Sequence, residues 1–552
     1  MTSTLYHNGV VHTSADPFAE AILVDDGVVT WVGAQDTATG LAARADDVVD
    51  LDGALVTPGF VDAHTRLLDT GLAEESVDLG AATGPGDALD ALAAGARALQ
   101  QAAADRHDVL LAAGWDESRW TERRPPRRDE LDAACDGRPV YAVRADDSGA
   151  VVSTSLARLA HLEHLPGWDP ATGLVTGEAH RAARAAAHDV SAERRTRAYR
   201  TALDRAAAHG VVSVHEMSTP ASDTRDGLRE LWSLTQDPAA GMPHLVAYRG
   251  ELCRTDDDAR DVLADLPFLT GIGGALPVDG TLGARTAALR SPYTDLPPTS
   301  DPHPPTGELH LSAEDVAAHL AACSVAGTQG SFGVTGDRAM DEAVRALGLV
   351  AEAHGPSLLR SGHHRIEHAL FVDAPALAAL LLYGVALSVQ PAFDSTFGGR
   401  GGQYETRLGA GRASALSPFA DLAGAGVPLA FGSATPVTPV DPWAAVRATL
   451  THDDTTQRIS ARAAFRAHTR GGWRLAGLDH TGAGELRVGA PAHLAVWQAE
   501  HLAVQSAEGR LSQWNPEARA GQPLLPDLSP DAPRPTCLRT VRDGVVLFDT
   551  MA

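Results

Sequence analysis

Three runs near the N-terminus alternate apolar and polar residues around tight-turn dipeptides: TLYHNGVVHT, AILVDDGVVTWVG and VVDLDGALVTPG. A period of two broken by Asn-Gly or Asp-Gly predicts short strands joined by hairpins. After Thr57-Pro58-Gly59 the texture changes. Ala-rich segments predict helices over 86–105, 192–209, 312–326 and 337–354, the third opened by an N-terminal cap at Ser312-Ala-Glu-Asp315. Short apolar runs between such segments predict strands at 109–114, 139–144, 211–216, 364–369, 385–391 and 427–433. Strand and helix alternate to about residue 475, a pattern that predicts a parallel α/β architecture, and about eight such units suit a closed barrel. The strand pattern returns in GELRVGAPAHLAVWQ (484–498) and CLRTVRDGVVLFD (537–549), and the Pro- and Asp-rich 515–536 reads as an exposed loop. The expected division is 1–57 and 479–552 forming one small β-sandwich from both chain termini, with 58–478 as the barrel.

Composition narrows the chemistry. All 45 basic residues are arginine, against 71 Asp and Glu, for a net charge of -26. A chain without lysine makes no Schiff base, no Walker A contact and no lysine-derived metal bridge. The acidic balance argues against nucleic acid and anionic membrane as partners; a small-molecule ligand is expected, and a homodimer stays open. Cys135, Cys253, Cys323 and Cys537 form no CxxC pair and read as free thiols in a reducing cytoplasm. MTSTLYHNGVVHTS has neither a basic region nor a long apolar run, so a cytoplasmic location is expected. No GxSxG elbow occurs, HHRIEH is not HExxH, and the arginines of TERRPPRRDE (121–130) are flanked by acids and broken by prolines, as in an exposed loop.

An ordered series of segments carries a family resemblance: TPGFVDAH (57–64), GWDESRW (114–120), VHEM (214–217), VDGTLGARTAALRSPY (278–293), GDRAMDEAV (336–344), HRIEHA (364–369), SVQPAFD (388–394) and FGSATPVTPVDPW (431–443). Together they resemble the amidohydrolase superfamily, and within it the group of N-substituted formamide deformylase-like enzymes. The resemblance implies a (β/α)8 TIM-like barrel of the α/β class beside the terminal β-sandwich, and hydrolysis of amide or related C–N bonds in small molecules. It also implies one or two divalent metals, typically zinc, at the C-terminal mouth of the barrel, where such folds carry their sites.

This sequence departs from that ligand set. His64-Thr65-Arg66 puts arginine where the family's His-x-His has its second histidine. Ala275 stands at the fourth-strand lysine, Gly333 at the fifth-strand histidine and Ala434 at the eighth-strand aspartate, which is also the family's general base. Ser148 replaces a further histidine. Of the family ligands, His64 and His368 survive. Catalytic zinc usually takes three protein ligands, so no complete metal site and no cofactor are expected; His215 or Glu216 as a new third ligand is the alternative. Arg66 is a permanent cation close to where a metal would sit. It either neutralises leftover carboxylates, with Asp279 or Glu367 as candidate partners, or binds a substrate carboxylate or carbonyl.

The candidate catalytic residues are therefore His64, Arg66, His215, Glu216 and His368, with Trp115, Asp279, Arg285 and Gln390 as candidate substrate contacts. Each has a plain structural reading beside the functional one. His215-Glu216 makes a hydrogen-bonded wall as well as it makes a site, and Asp279 and Arg285 lie in a Gly-rich turn that loop geometry alone explains. Three functions stay open: a catalytically impaired, metal-free descendant with a ligand pocket, a working hydrolase with a rearranged site, and a regulatory or structural partner of an active paralogue.

Overall fold

The structure is a computed structural model and describes residues 3–102, 108–237, 240–296, 305–505, 511–512 and 522–551. Eight parallel strands follow one another around a single sheet: Phe60–Thr65, Val211–Ser218, His244–Arg249, Gly271–Ile272, Gln329–Val334, Arg365–His368, Ala386–Val389 and Leu429–Phe431. The sheet nearly closes. Ala434 N donates to His64 O at 2.9 Å, and a parallel bridge joins Thr65 to Thr435. Closure dictates the glycine of FGSATP, because a Cβ on Gly432 would stand 2.5 Å from His64 N. Only a bare backbone lets the last strand approach the first this closely. Asp62 completes the seam, its Oδ1 accepting from Ser433 N at 2.9 Å and His64 N at 3.2 Å.

The helices fall where the apolar periodicity puts them, at Pro85–Gln101, Ala192–Ala208, Ala313–Ala326 and Asp337–His354; residues 103–105 of the first predicted helix lie outside the described residues. Ser312 caps its helix as expected, accepting from Asp315 N while Asp315 reaches back.

Two predicted barrel strands go elsewhere. Leu110–Trp115 and Val140–Arg144 pair with Val77–Asp78, Ala150–Val152 and Leu174–Val175 in a separate five-stranded sheet inserted between the first and second barrel strands. It has its own core around Trp115, Trp120, Leu92 and Val151. Apolar runs of this length look alike whether they feed a barrel or a side sheet. The insertion also makes the His215-Glu216 strand the second of the barrel, not the third.

Both termini contribute to two further sheets. One orders Val28–Gly33, Ala21–Asp25, Ser3–His7 and Asp47–Asp50; the other orders Val10–Val11, Leu55–Pro58, Leu494–Gln498, Thr536–Arg542 and Val545–Asp549. Tyr6, Ile22, Val29, Val56, Leu494, Val496 and Val541 from both ends form one buried cluster. Asp26-Gly27 and Asp543-Gly544 make two-residue hairpin loops with positive φ at both positions. Residues 515–521 of the predicted exposed loop lie outside the described residues, while Leu525, Asp527 and Leu528 are buried, unlike an exposed loop.

Barrel and terminal sheets meet at an aromatic cluster. The ring of Phe60, on the first barrel strand, lies 4.9 Å from Trp443, 5.3 Å from Phe465 and 5.7 Å from Trp497 of the C-terminal sheet, all edge-to-face. Phe60→Ala is expected to cost about 3–5 kcal/mol. Urea unfolding followed by fluorescence and by circular dichroism measures the loss, and the two transitions are expected to shift together.

Candidate functional site

The C-terminal mouth of the barrel holds a cavity of about 170 Å³. His64, Arg66 and His368 line it, as do Ala275 and Ala434. His64 is the penultimate residue of the first strand and His368 the last of the sixth, with ring centroids 5.0 Å apart. Ala275 and Ala434 add only methyl groups. Gly333, on the fifth strand, adds no side chain; a Cβ there would find His368 Cδ2 at 3.6 Å, an ordinary contact.

Each histidine is oriented from behind. His64 Nδ1–H donates to Glu367 Oε2 at 2.7 Å, and His368 Nδ1–H donates to Gln390 Oε1 at 2.8 Å. A neutral imidazole held through Nδ1–H has Nε2 as its lone-pair nitrogen. Burial lowers the His368 pKa to about 4, with His64 adding to the effect, so its ring is neutral at physiological pH.

Glu367 is completely buried, as is its partner Arg365, with Nε 2.5 Å from Oε1. Burial pushes the Glu367 carboxyl up, but the Arg365 charge and the His64 bond outweigh it and hold the pKa at about 2. Arg365 also donates to Ala63 O at 2.8 Å and to His215 Nδ1 at 3.0 Å, and lies 4.8 Å from the Tyr248 ring centroid. His215 therefore supports Arg365 inside the barrel. Burial and the arginine charge drive its pKa well below the ordinary value.

Glu216 accepts from Leu67 N at 2.8 Å, at the start of the helix Leu67–Glu74, and burial raises its pKa well above the usual range. Neither His215 nor Glu216 is among the residues lining the cavity.

Arg66 pairs through Nη1 with Asp147 at 2.7 Å and Asp69 at 3.0 Å. The expected partners, Asp279 and Glu367, are otherwise engaged. Asp147 stands on the turn after the Val140–Arg144 strand, so the inserted sheet supplies the counter-charge, which no reading of the barrel motifs alone reveals. Arg184 joins the same cluster, pairing with Asp147 and lying 3.7 Å from Asp69. Burial raises Asp69 and Asp147, yet the two guanidiniums, helped at Asp69 by His188, more than offset it and both carboxyls stay below their usual range.

Asp146 also lines the cavity, ion-paired to Arg144 and accepting from Ser148 Oγ at 2.6 Å and Gln403 Nε2 at 2.9 Å. Phe393, Phe397 and Tyr404 supply an aromatic wall, Phe393 stacked on His368 at 6.0 Å and 14°.

The other candidate contacts lie outside this lining. Trp115 is buried in the inserted sheet, donating Nε1–H to Ala142 O. Asp279 accepts from the backbone amides of Thr335, Gly336 and Ala288 at 2.8–2.9 Å; burial raises its pKa to about 7 against these bonds. Arg285 makes a two-point pair with Asp295 at 2.7 and 3.0 Å. Gln390 acts through His368. Glu367 and Arg365 stood in the RIEH motif and Phe393 in SVQPAFD, so those residues carried a signal. Phe397, Gln403 and Tyr404 flank a Gly-rich turn and carried none.

Beside the two imidazoles of His64 and His368 the mouth presents the carboxylates of Asp146 and Asp147, both engaged by arginines. Among the described residues no group of three His, Cys, Asp or Glu side chains is arranged to hold a metal. No helix there is long and apolar enough to cross a membrane.

Eight parallel strands with two inward-held histidines at the mouth define a TIM-like α/β-barrel protein. The chain belongs to the amidohydrolase family, whose profile matches residues 47–548, and so to a lineage of hydrolases acting on C–N bonds. It is 25% identical over 470 residues to the YtcJ protein of Bacillus subtilis (strain 168), covering 81% of this chain and 83% of that one. It is 30% identical over 156 residues to the N-substituted formamide deformylase of Arthrobacter pascens, 27% of either chain. An uncharacterized metal-dependent hydrolase from Pyrococcus furiosus has the same fold, with a TM-score of 0.68 at 25% identity, over 90% of this chain and 98% of that one.

Two outcomes are expected at the histidines. Glu367→Gln leaves Arg365 without its buried counter-charge and should destabilise the protein by about 3–5 kcal/mol in urea unfolding at neutral pH. His368 has a depressed folded pKa, so below its unfolded value near 6.5 the unfolded chain binds the extra proton first. Relative to His368→Asn, the wild type should therefore lose stability as pH falls from 6.5 towards 4. Urea midpoints of both proteins at the two ends of that window check the sign.

Proposed function

We propose that this chain is a metal-free member of the family, of the N-substituted formamide deformylase-like group, that keeps a small-molecule pocket and has lost most of its hydrolytic machinery. The observation that carries this reading is Arg66. Its guanidinium lines the cavity, neutralised by Asp69 and Asp147, at the position where the family places a metal-binding histidine. A guanidinium has no lone pair to offer a divalent ion. Alanine at 275 and 434 and glycine at 333 offer no donor either. Without a metal to lower the pKa of water, hydrolysis falls back on positioned acids and bases, worth about 10²–10⁴-fold. The four buried free thiols support a reducing, cytoplasmic setting.

One observation favours a second reading, an active hydrolase with a rearranged site. The buried Glu367 carboxylate orients His64 as a general base is oriented, with Nε2 left to take a proton from water. Arg66 would then face a developing oxyanion, but its two carboxylate partners already absorb its charge, which ranks this reading second.

Elemental analysis of protein purified without chelators, paired with an amide-hydrolysis screen, tests the proposal. Metal well below stoichiometric and no turnover are expected. Near-stoichiometric zinc, manganese or iron, with turnover abolished by His368→Ala, would overturn it. The combined variant Arg66→His, Ala275→Lys, Gly333→His, Ala434→Asp should gain metal in the same assay. Its backbone allows this: Gly333 has room for a Cβ, and Ala434 sits at φ 53°, a region aspartate tolerates better than most residues.

A further inference from the structure

The opposite end of the barrel carries a second, differently charged depression. It lies by Val427 and Leu429, where the last strand begins, whereas Ala434, beyond the end of that strand, lines the mouth. Its volume is about 500 Å³, within the range of small-molecule sites. Arg466, Arg470 and Arg474 line it at every fourth residue along the two helices Ala461–Ala467 and Arg470–Leu475. Arg462 continues the row into an adjoining hollow that shares Arg466 and Arg470.

The row is under-neutralised. Arg470 pairs with Glu485 at 2.8 Å and lies 3.7 Å from Asp479. Arg462, Arg466 and Arg474 are exposed and have no carboxylate partner among the described residues. Most of the guanidiniums around the mouth are paired with acids, and the chain as a whole carries -26. Unpaired cations set side by side repel one another, and an anion relieves that repulsion. The floor between them is apolar, formed by Val427, Ile459 and Ala463.

We propose that this groove binds a small molecule bearing more than one phosphate group on a partly apolar body. Arg462 and Arg466 on one helix, and Arg470 and Arg474 on the next, are each four helical residues apart, a rise of about 6 Å, so the guanidiniums reach separate anionic groups. Each is a planar fork that matches phosphate oxygens in pairs, and phosphate offers three such oxygens where a carboxylate offers two. The strongly negative remainder of the surface repels long polyanions, which selects a compact ligand over nucleic acid or an acidic protein segment.

Calorimetric titration of the full chain with inorganic tripolyphosphate tests this, with citrate as the carboxylate comparator and an Asp/Glu-rich peptide as the macromolecular one. Saturable binding that weakens with added salt is expected, tighter for tripolyphosphate than for either comparator. Charge-assisted hydrogen bonds of about 1.5–3 kcal/mol correspond to roughly tenfold or more in affinity per arginine. Arg466→Ala with Arg474→Ala should therefore weaken binding by about a hundredfold; both side chains are exposed, and an unchanged urea midpoint verifies folding. Arg119→Ala, which removes an exposed arginine elsewhere on the chain, should leave the affinity unchanged. No saturable binding, equal or tighter binding of citrate or peptide, an unaffected double variant, or loss through Arg119→Ala would each overturn the assignment.

Discussion

A completely buried ion pair, Arg365 with Glu367, organises the barrel interior. Two charges withdrawn from water cost several kcal/mol each unless every donor and acceptor is engaged. Arg365 meets most of that demand by reaching the first strand through Ala63 O and the second through His215, while Glu367 returns to His64; the arginine's Nε keeps only the ion-pair contact to Glu367. One side chain on the sixth strand thus ties together strands far apart in sequence. The position of His64 follows from this arrangement, and the cavity is built around His64.

A carboxylate behind a histidine is the usual outer support of a metal ligand, fixing its tautomer and ring angle. Here Glu367 gives that kind of support to His64, and Gln390 holds His368 in the same way. Removing Glu367 would strand Arg365 inside the barrel, so stability retains it whatever the chemistry. Ala275 faces the cavity, while Ala434 holds a left-handed φ of 53° that disfavours alanine.

At the mouth the charge problem has been solved a second way. Arg66 and Arg184 share Asp69 and Asp147, carboxylates held below their usual pKa range by those guanidiniums against the effect of burial. The cluster lies between barrel and inserted sheet, so it couples the site to a part of the chain that lies outside the eight-strand repeat. Opposite it, Phe393, Phe397 and Tyr404 give the cavity an apolar side. A polar face against an aromatic one suits an amphipathic small molecule.

The sequence by itself determined the alternation that makes an α/β barrel, the hairpins of both ends, the places of the long helices and the two histidines that face the mouth. These are local properties: periodicity, turn dipeptides and motif spacing are written in neighbouring residues. Tertiary structure alone decided that 109–114 and 139–144 form a side sheet, that Arg66 meets Asp147 and Asp69, that His215 and Glu216 serve the interior, and that Trp115, Asp279 and Arg285 support loops and sheets beyond the cavity lining. Each of these depends on which buried group must find a partner across the fold, and a strand's apolar pattern does not record who sits opposite.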